Sequence, residues 1–351
     1  MSVRASAPGK LVLLGEYAVL DGAPALVAAV NRRARVCVEA RSGDHCRIDA
    51  PEFAEQAADF TIEPSGRIVW QTQAKACRQH YSLFEFVLER LAADAAFDFA
   101  AHRPFHISLD TRVFFDGPHK LGLGSSAALT VALAAALAQH AGPAGIADDR
   151  RGMLARLLAM HADFQNGAGS GLDVAASLFG GLIAFERPAD AMPVRVEPLT
   201  WPEDLRMLCL WSGRSASTRR LLKALERARA SDVQGYFTHC QAMADIARQG
   251  REAMRAGSTG ELLASIDAYA GALEAFDRYC GIGIMSAGHE HLRHMAAGAG
   301  AVYKPSGAGG GDVGIALSTE PGCLERLRTT AAGEGFKTVE LDLDPFGLRW
   351  E

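Results

Sequence analysis

The 351-residue sequence has no run of five or six like charges. Its formal charge is −5, from 36 basic and 41 acidic residues. Nucleic-acid and membrane-surface proteins normally concentrate basic charge, so neither partner is expected. An anionic ligand must then be held by local groups and not by a global field. Long apolar runs are missing too. The longest, Ala127–Ala138, is interrupted by Thr130, and a bilayer span needs about 20 residues. The first residues show no signal-peptide apolar region. Cysteine is sparse: 7 residues, widely spaced, with no CxxC pair. That excludes a disulfide framework and a Cys-type zinc site. A reduced, cytoplasmic protein is expected. Walker A is missing as well, because Gly9-Lys10 is followed by Leu11 and Arg4 stands where the first glycine belongs. There is no internal repeat and no low-complexity segment.

What is present is glycine: 36 residues, against an average near 7% that would give about eleven fewer. Without a collagen-like period, the surplus belongs to particular loops. The composition, 49% hydrophobic and 22% charged, is that of a well-cored chain, and its length suggests two domains. Short β-rich segments, Val3–Ala7, Leu11–Leu14, Arg35–Ala40 and Phe105–Asp110, open the chain. Helices are expected over Ala76–Ala93, from Ser125 to a stop at Gly142-Pro143, and over Arg151–Phe164. The stretch Arg187–Trp201 has three prolines and no helical period. It sets the expected division into 1–187 and 188–351. The second part reads strand Met207–Trp211, long helices over 217–256 and 260–279, helix Ala287–Ala297, strands Ala301–Lys304 and Val313–Leu317, helix Glu325–Ala332 and strand Thr338–Leu343. That order predicts an α+β split βαβ domain.

Three glycine-rich loops stand out. Lys120-Leu-Gly-Leu-Gly-Ser-Ser-Ala-Ala128 runs straight into a helix. Its free N–H groups suit a phosphate, and Ser125 or Ser126 suits either a helix cap or Mg²⁺. Asn166-Gly-Ala-Gly-Ser-Gly-Leu-Asp173 places an acid at a short helix start. Asp173 there either caps the helix or orients a substrate proton. Lys304-Pro-Ser-Gly-Ala-Gly-Gly-Gly-Asp312 has four glycines in five positions, which suits close approach to a ligand better than a plain turn. Lys10 either snorkels or steadies a phosphate. Gly122-x-Gly124-x-x-Ala127 with Asp148 formally matches a dinucleotide fingerprint, but a turn-like segment precedes it and no βαβ repeat follows. His289-Glu290-His291-x-x-His294 is not H-E-x-x-H and reads as a polar helix face. Trp70 is expected in core or edge packing.

Together, Ala7-Pro-Gly-Lys-Leu with Gly15-Glu-Tyr, the Gly122–Ala128 loop and Gly307-Ala-Gly-Gly-Gly-Asp312 resemble the GHMP kinases. Trp211-Ser-Gly-Arg-Ser-Ala-Ser-Thr218, Gly281-Ile-Gly-Ile, Tyr17, Ser306 and Asp312 are most similar to the phosphomevalonate kinase branch. The resemblance implies an α+β GHMP kinase fold. Its N-terminal domain would be like domain 2 of ribosomal protein S5, and its C-terminal domain ferredoxin-like. It implies ATP and Mg²⁺ as cofactors and a small phosphorylated acid as acceptor, in a monomer or homodimer. Lys10 and Asp173 would be catalytic. Lys120, Gly122, Leu123, Gly124, Ser125, Ser126 and Ala127 would bind ATP, with Ser126 on the metal. Tyr17, Ser170, Ser217, Arg219, Lys304, Gly309 and Gly310 would bind the acceptor. The metal glutamate that mevalonate kinases carry falls on Ala162, which leaves Asp163 as a substitute or the metal held through water and phosphates. The alternatives are a mevalonate kinase or other small-molecule GHMP kinase, a non-catalytic nucleotide-binding protein, and a nicotinamide-dependent dehydrogenase.

Overall fold

Strand β1 (Ser2–Leu14) pairs antiparallel with β2 (Ala25–Ala40). It is one long strand where two were expected. The register shifts at Pro8/Gly9, so an irregularity absorbs the proline that cannot donate to a ladder. The structure is a computed structural model that describes residues 2–51, 57–71, 75–99, 103–142, 145, 149–165, 167, 169–188 and 193–351. Asp148, Asn166, Ala168 and the helix-stopping Pro143 lie outside the described residues.

The sheet built on β2 continues through β3 (Cys46–Asp49), β4 (Ala58–Ile62) and β5 (Ile68–Trp70). The expected helix over 76–93 is split into α1 (Lys75–His80) and α2 (Ser82–Ala92). Strand β6 (Phe105–Asp110) lies between β2 and β3. A short hairpin, β7 (Phe115–Asp116) with β8 (His119–Lys120), leads into α3 (Ser125–Ala141). Then come α4 (Arg150–Phe164), α5 (Leu172–Phe179), β9 (Leu182–Glu186) and β10 (Arg195–Leu199). The order is β10-β9-β2-β6-β3-β4-β5. Strand β10 lies beyond residue 187 yet pairs with β9. Because α3 is apolar all round, it is buried along its length. Trp70 packs in this first core against Phe60, Tyr81 and Phe84.

The second part begins with β11 (Arg206–Trp211). Helices α6 (Thr218–Ser231), α7 (Val233–Arg255), α8 (Thr259–Cys280) and α9 (Ala287–Ala299) follow. Then come β12 (Val302–Pro305), β13 (Val313–Ser318), α10 (Cys323–Gly333), β14 (Lys337–Val339) and β15 (Arg349–Trp350). The antiparallel order β12-β13-β11-β14 is that of a ferredoxin-like sheet. Strand β14 stops at Val339, short of the expected Leu343. From there the chain turns to the first sheet, where Leu343 bridges Val30 and β15 pairs with β1. A shared core joins Leu11, Leu14 and Leu26 to Tyr236, Met243 and Ile266. Among the described residues, no helix is long and apolar enough to cross a membrane.

Arg33 fastens the returning segment. Its guanidinium donates to Asp344, Ser6 and the carbonyls of Phe346 and Gly347, all in buried or part-buried surroundings. Replacing Arg33 by Met leaves Asp344 buried and unpaired, with an expected cost of about 3–5 kcal/mol. Urea denaturation measures it; a loss below about 1 kcal/mol, the worth of a surface pair, would contradict the assignment.

Candidate active site

Lys10 lies inside β1 and is 9% exposed. Its backbone N–H donates to Leu123 O at 2.9 Å, and its ammonium donates to Gly122 O at 3.2 Å. Burial pushes that ammonium below the usual lysine range, while Asp173, Asp312 and Glu16 oppose the shift. These groups surround a cavity of about 430 Å³ between the two halves of the molecule.

The first wall is the start of α3. Gly122 and Gly124 adopt left-handed φ of 77° and 79°. A Cβ on Gly122 would lie 2.5 Å from the Asp312 side chain, so only glycine fits there. Gly124 occupies the N-cap position and offers no side-chain acceptor to the first turn. The helix start thus faces the cavity with uncapped N–H groups, which suits a phosphate. Lys120, Gly122, Gly124 and Ser126 line the cavity; Leu123, Ser125 and Ala127 are buried behind it.

Asp173 enters from α5, with Ser170 beside it, and both line the cavity. The N-cap of α5 is Gly171, with no side-chain cap bond, so Asp173 does not cap the helix; it sits in the first turn, lining the cavity, and its carboxylate accepts from Val174 N at 3.0 Å. Asp163 does not join them: it is half-exposed and ion-paired with Arg90. Among the described residues, no group of three or more His, Cys, Asp or Glu is arranged for a metal.

The far wall is C-terminal. Ser217 and Arg219, at the start of α6, line the cavity. Tyr17 also lines it, at φ 61°, and its hydroxyl donates to Ala308 O at 2.5 Å. Asp312, at φ 60°, accepts from Ala216 N at 3.0 Å. Burial raises its carboxyl above the usual range, against the pull of Ala216 N–H, Lys10 and Lys120. Three expected acceptor ligands are placed elsewhere. Lys304 is wholly buried, and its ammonium donates to Glu16, to Pro305 O and to Val12 O. Gly309 packs against Ile284, and Gly310 O accepts from Arg214 Nε at 2.8 Å. With Gly310 N donating to Ile284 O at 2.6 Å, these contacts tie the loop to neighbouring segments.

In the sequence one residue carries no assigned role and another is misread. Glu16 is 4% exposed and lines the cavity. Its Oε1 is taken by Lys304 and Gly307 N, while Oε2 is buried without a partner. The Gly-Glu of the first motif was its only signal. His289 is not on a solvated face: it is wholly buried, with Nδ1 against Tyr303 Oη at 2.9 Å and Nε2 against Gly311 O at 2.8 Å. Burial lowers its pKa to about 4. The unfolded chain therefore takes the proton first. Stability from this group is full above about pH 6.5 and is lost as pH falls toward 4, by about 3 kcal/mol. Urea-derived stability across that window should show the loss, and a His289→Gln variant should lack it.

Residues 82–181 match the family described as GHMP kinases N terminal domain. The chain is 32% identical to a phosphomevalonate kinase of Streptomyces sp. (strain CL190), covering 89% of this chain and 88% of that one. It is 26% identical to a mevalonate kinase of Thermococcus gammatolerans, over 100% and 99% of the two chains. Its fold is that of the Streptococcus pneumoniae phosphomevalonate kinase solved with phosphomevalonate and AMPPNP, with a TM-score of 0.74 over 98% of this chain and 99% of that one, at 20% identity. With its motifs gathered on one cleft and its relatives matched along almost their whole length, the protein belongs to the GHMP kinase family and is a phosphotransferase.

Proposed function

We propose that the protein transfers the γ-phosphoryl group of MgATP to the phosphate of 5-phosphomevalonate, giving 5-diphosphomevalonate and ADP. The observation that carries this reading is the convergence of Lys10, Lys120 and Arg219 on a cavity that also receives the uncapped start of α3. Phosphoryl transfer needs placement and neutralisation of charge more than covalent chemistry. The α3 start cradles the nucleotide phosphates. Lys10 neutralises the transferred group from a buried position, where its charge acts most strongly. Lys120 adds charge beside the nucleotide phosphates, Arg219 holds the negative acceptor from the rim, and Tyr17, Ser170 and Ser217 shape its site. Mg²⁺, when bound, supplies further neutralisation and would be held by Ser126 Oγ with nucleotide phosphates and water, since Asp163 is engaged by Arg90. The relatives named above support a place in the mevalonate pathway.

Mevalonate is the second acceptor to consider, and Asp173 favours it. An alcohol needs a base, whereas a phosphate is largely ionised near pH 7. ADP release with MgATP and a panel of mevalonate, 5-phosphomevalonate, 5-diphosphomevalonate, homoserine and galactose decides between them. Turnover with 5-phosphomevalonate is expected; turnover with mevalonate alone would overturn the reading. The panel tests a non-catalytic role at the same time.

A further inference from the structure

We propose that Lys304 is a positioning residue: paired with Glu16, it locks the last glycine loop against β1 and so holds the Lys10 ammonium in the cleft. Lys304 and Glu16 come from opposite halves of the chain, and their side chains are 0% and 3% exposed. The lysine has no route to a ligand. Its three acceptors, Glu16 Oε1, Val12 O and Pro305 O, lie on the two segments it joins.

The lacing is continuous. Val12 N donates to Ser306 Oγ at 2.8 Å, Gly307 N donates to Glu16 Oε1 at 3.2 Å, and Tyr17 Oη donates to Ala308 O. Tyr269 Oη closes it from α8 by donating to Glu16 O at 2.6 Å. These bonds fix residues 12–17 against 304–308. Gly307 then lies directly against Lys10: a Cβ added to it would stand 3.1 Å from Lys10 Nζ. A shift of the loop would therefore move the wall that confines the ammonium. A buried pair adds little net stability against an apolar replacement, but it specifies one arrangement where several would otherwise compete. Here that arrangement is the seat of Lys10.

The test uses the full chain. Lys304→Met strands a buried carboxylate and risks unfolding, so Lys304→Met/Glu16→Gln, which removes both charges, is measured beside it. The double variant is expected to lose about 100-fold in acceptor kcat/KM through misplacement, with MgADP affinity held within about threefold. Deuterium uptake in residues 304–312 should rise about tenfold, with 125–141 unchanged. Wild-type kcat/KM, unchanged uptake or a parallel loss of MgADP affinity would each overturn the proposal. Should neither variant fold, the wild type still decides: a Gly307 amide exchanging at the rate of an open loop refutes the lock. The inference rests on phosphoryl transfer but not on the acceptor. A wild type that leaves 5-phosphomevalonate untouched would refute the acceptor alone, because exchange and MgADP binding need none.

Discussion

Lys10→Met is expected to lose about 10³-fold in kcat, close to 4 kcal/mol of transition-state stabilisation, while MgADP still binds. Methionine keeps most of the length and removes the charge. In water such a charge would be worth little. Lys10 sits in β1 under Gly124 and against Gly307, with almost no solvent, so its field reaches the transferred group undiminished by reorganising water. Nucleotide affinity should survive because the uncapped start of α3 is untouched. Steady-state ADP release and equilibrium MgADP titration measure the two halves of the expectation. A variant within about tenfold of wild type would show that Lys120 and Arg219 suffice. The pH profile adds a sign. Burial favours the uncharged amine, so activity should fall on the alkaline side earlier than an ordinary lysine would dictate.

Asp173→Asn should come next, losing about 10²-fold or more in turnover with MgADP affinity kept. Asp173 and Lys10 flank Gly124 from two sides; a Cβ there would stand 3.7 Å from Asp173 Cβ and 3.2 Å from Lys10 Cγ. The carboxylate therefore shares the reacting corner with the ammonium. The form of the loss separates its roles. If the acceptor is an ionised phosphate, Asp173 only orients it, and the solvent deuterium isotope effect on kcat should be the same in the variant. If the acceptor is an alcohol, Asp173 takes its proton during transfer, and that isotope effect should change in the variant. Near-normal turnover would remove Asp173 from the mechanism.

Much of this site could be read before any coordinates. The loop at Gly122–Ser126 and the acid at Asp173 announce themselves because glycine density and helix-start chemistry are local. The ferredoxin-like order was legible for the same reason: its strands and helices are separate runs with clear periods. What escaped was pairing between distant segments. Lys304 looked like a free cation beside a glycine loop, and nothing local said that Glu16 would claim it. His289 looked solvated among polar neighbours, yet the carbonyl of Gly311 and the hydroxyl of Tyr303 draw it inward. Arg33 gave no signal, since its partners lie up to 314 positions away. Where β14 ends was equally hidden, because the residues after it answer to the first sheet.

That return has a consequence for how the protein is made. Arg33 waits for Asp344, 311 positions later. At ribosomal rates of roughly 5–20 residues per second, the wait is about 15–60 s. Until α7 and α8 are made, Leu11, Leu14 and Leu26 lack the helices that cover them, and through the whole interval β1 lacks its β15 partner. The nascent first half is therefore not an independently finished unit. A fragment cut near residue 187 should inherit the same exposed surface for good.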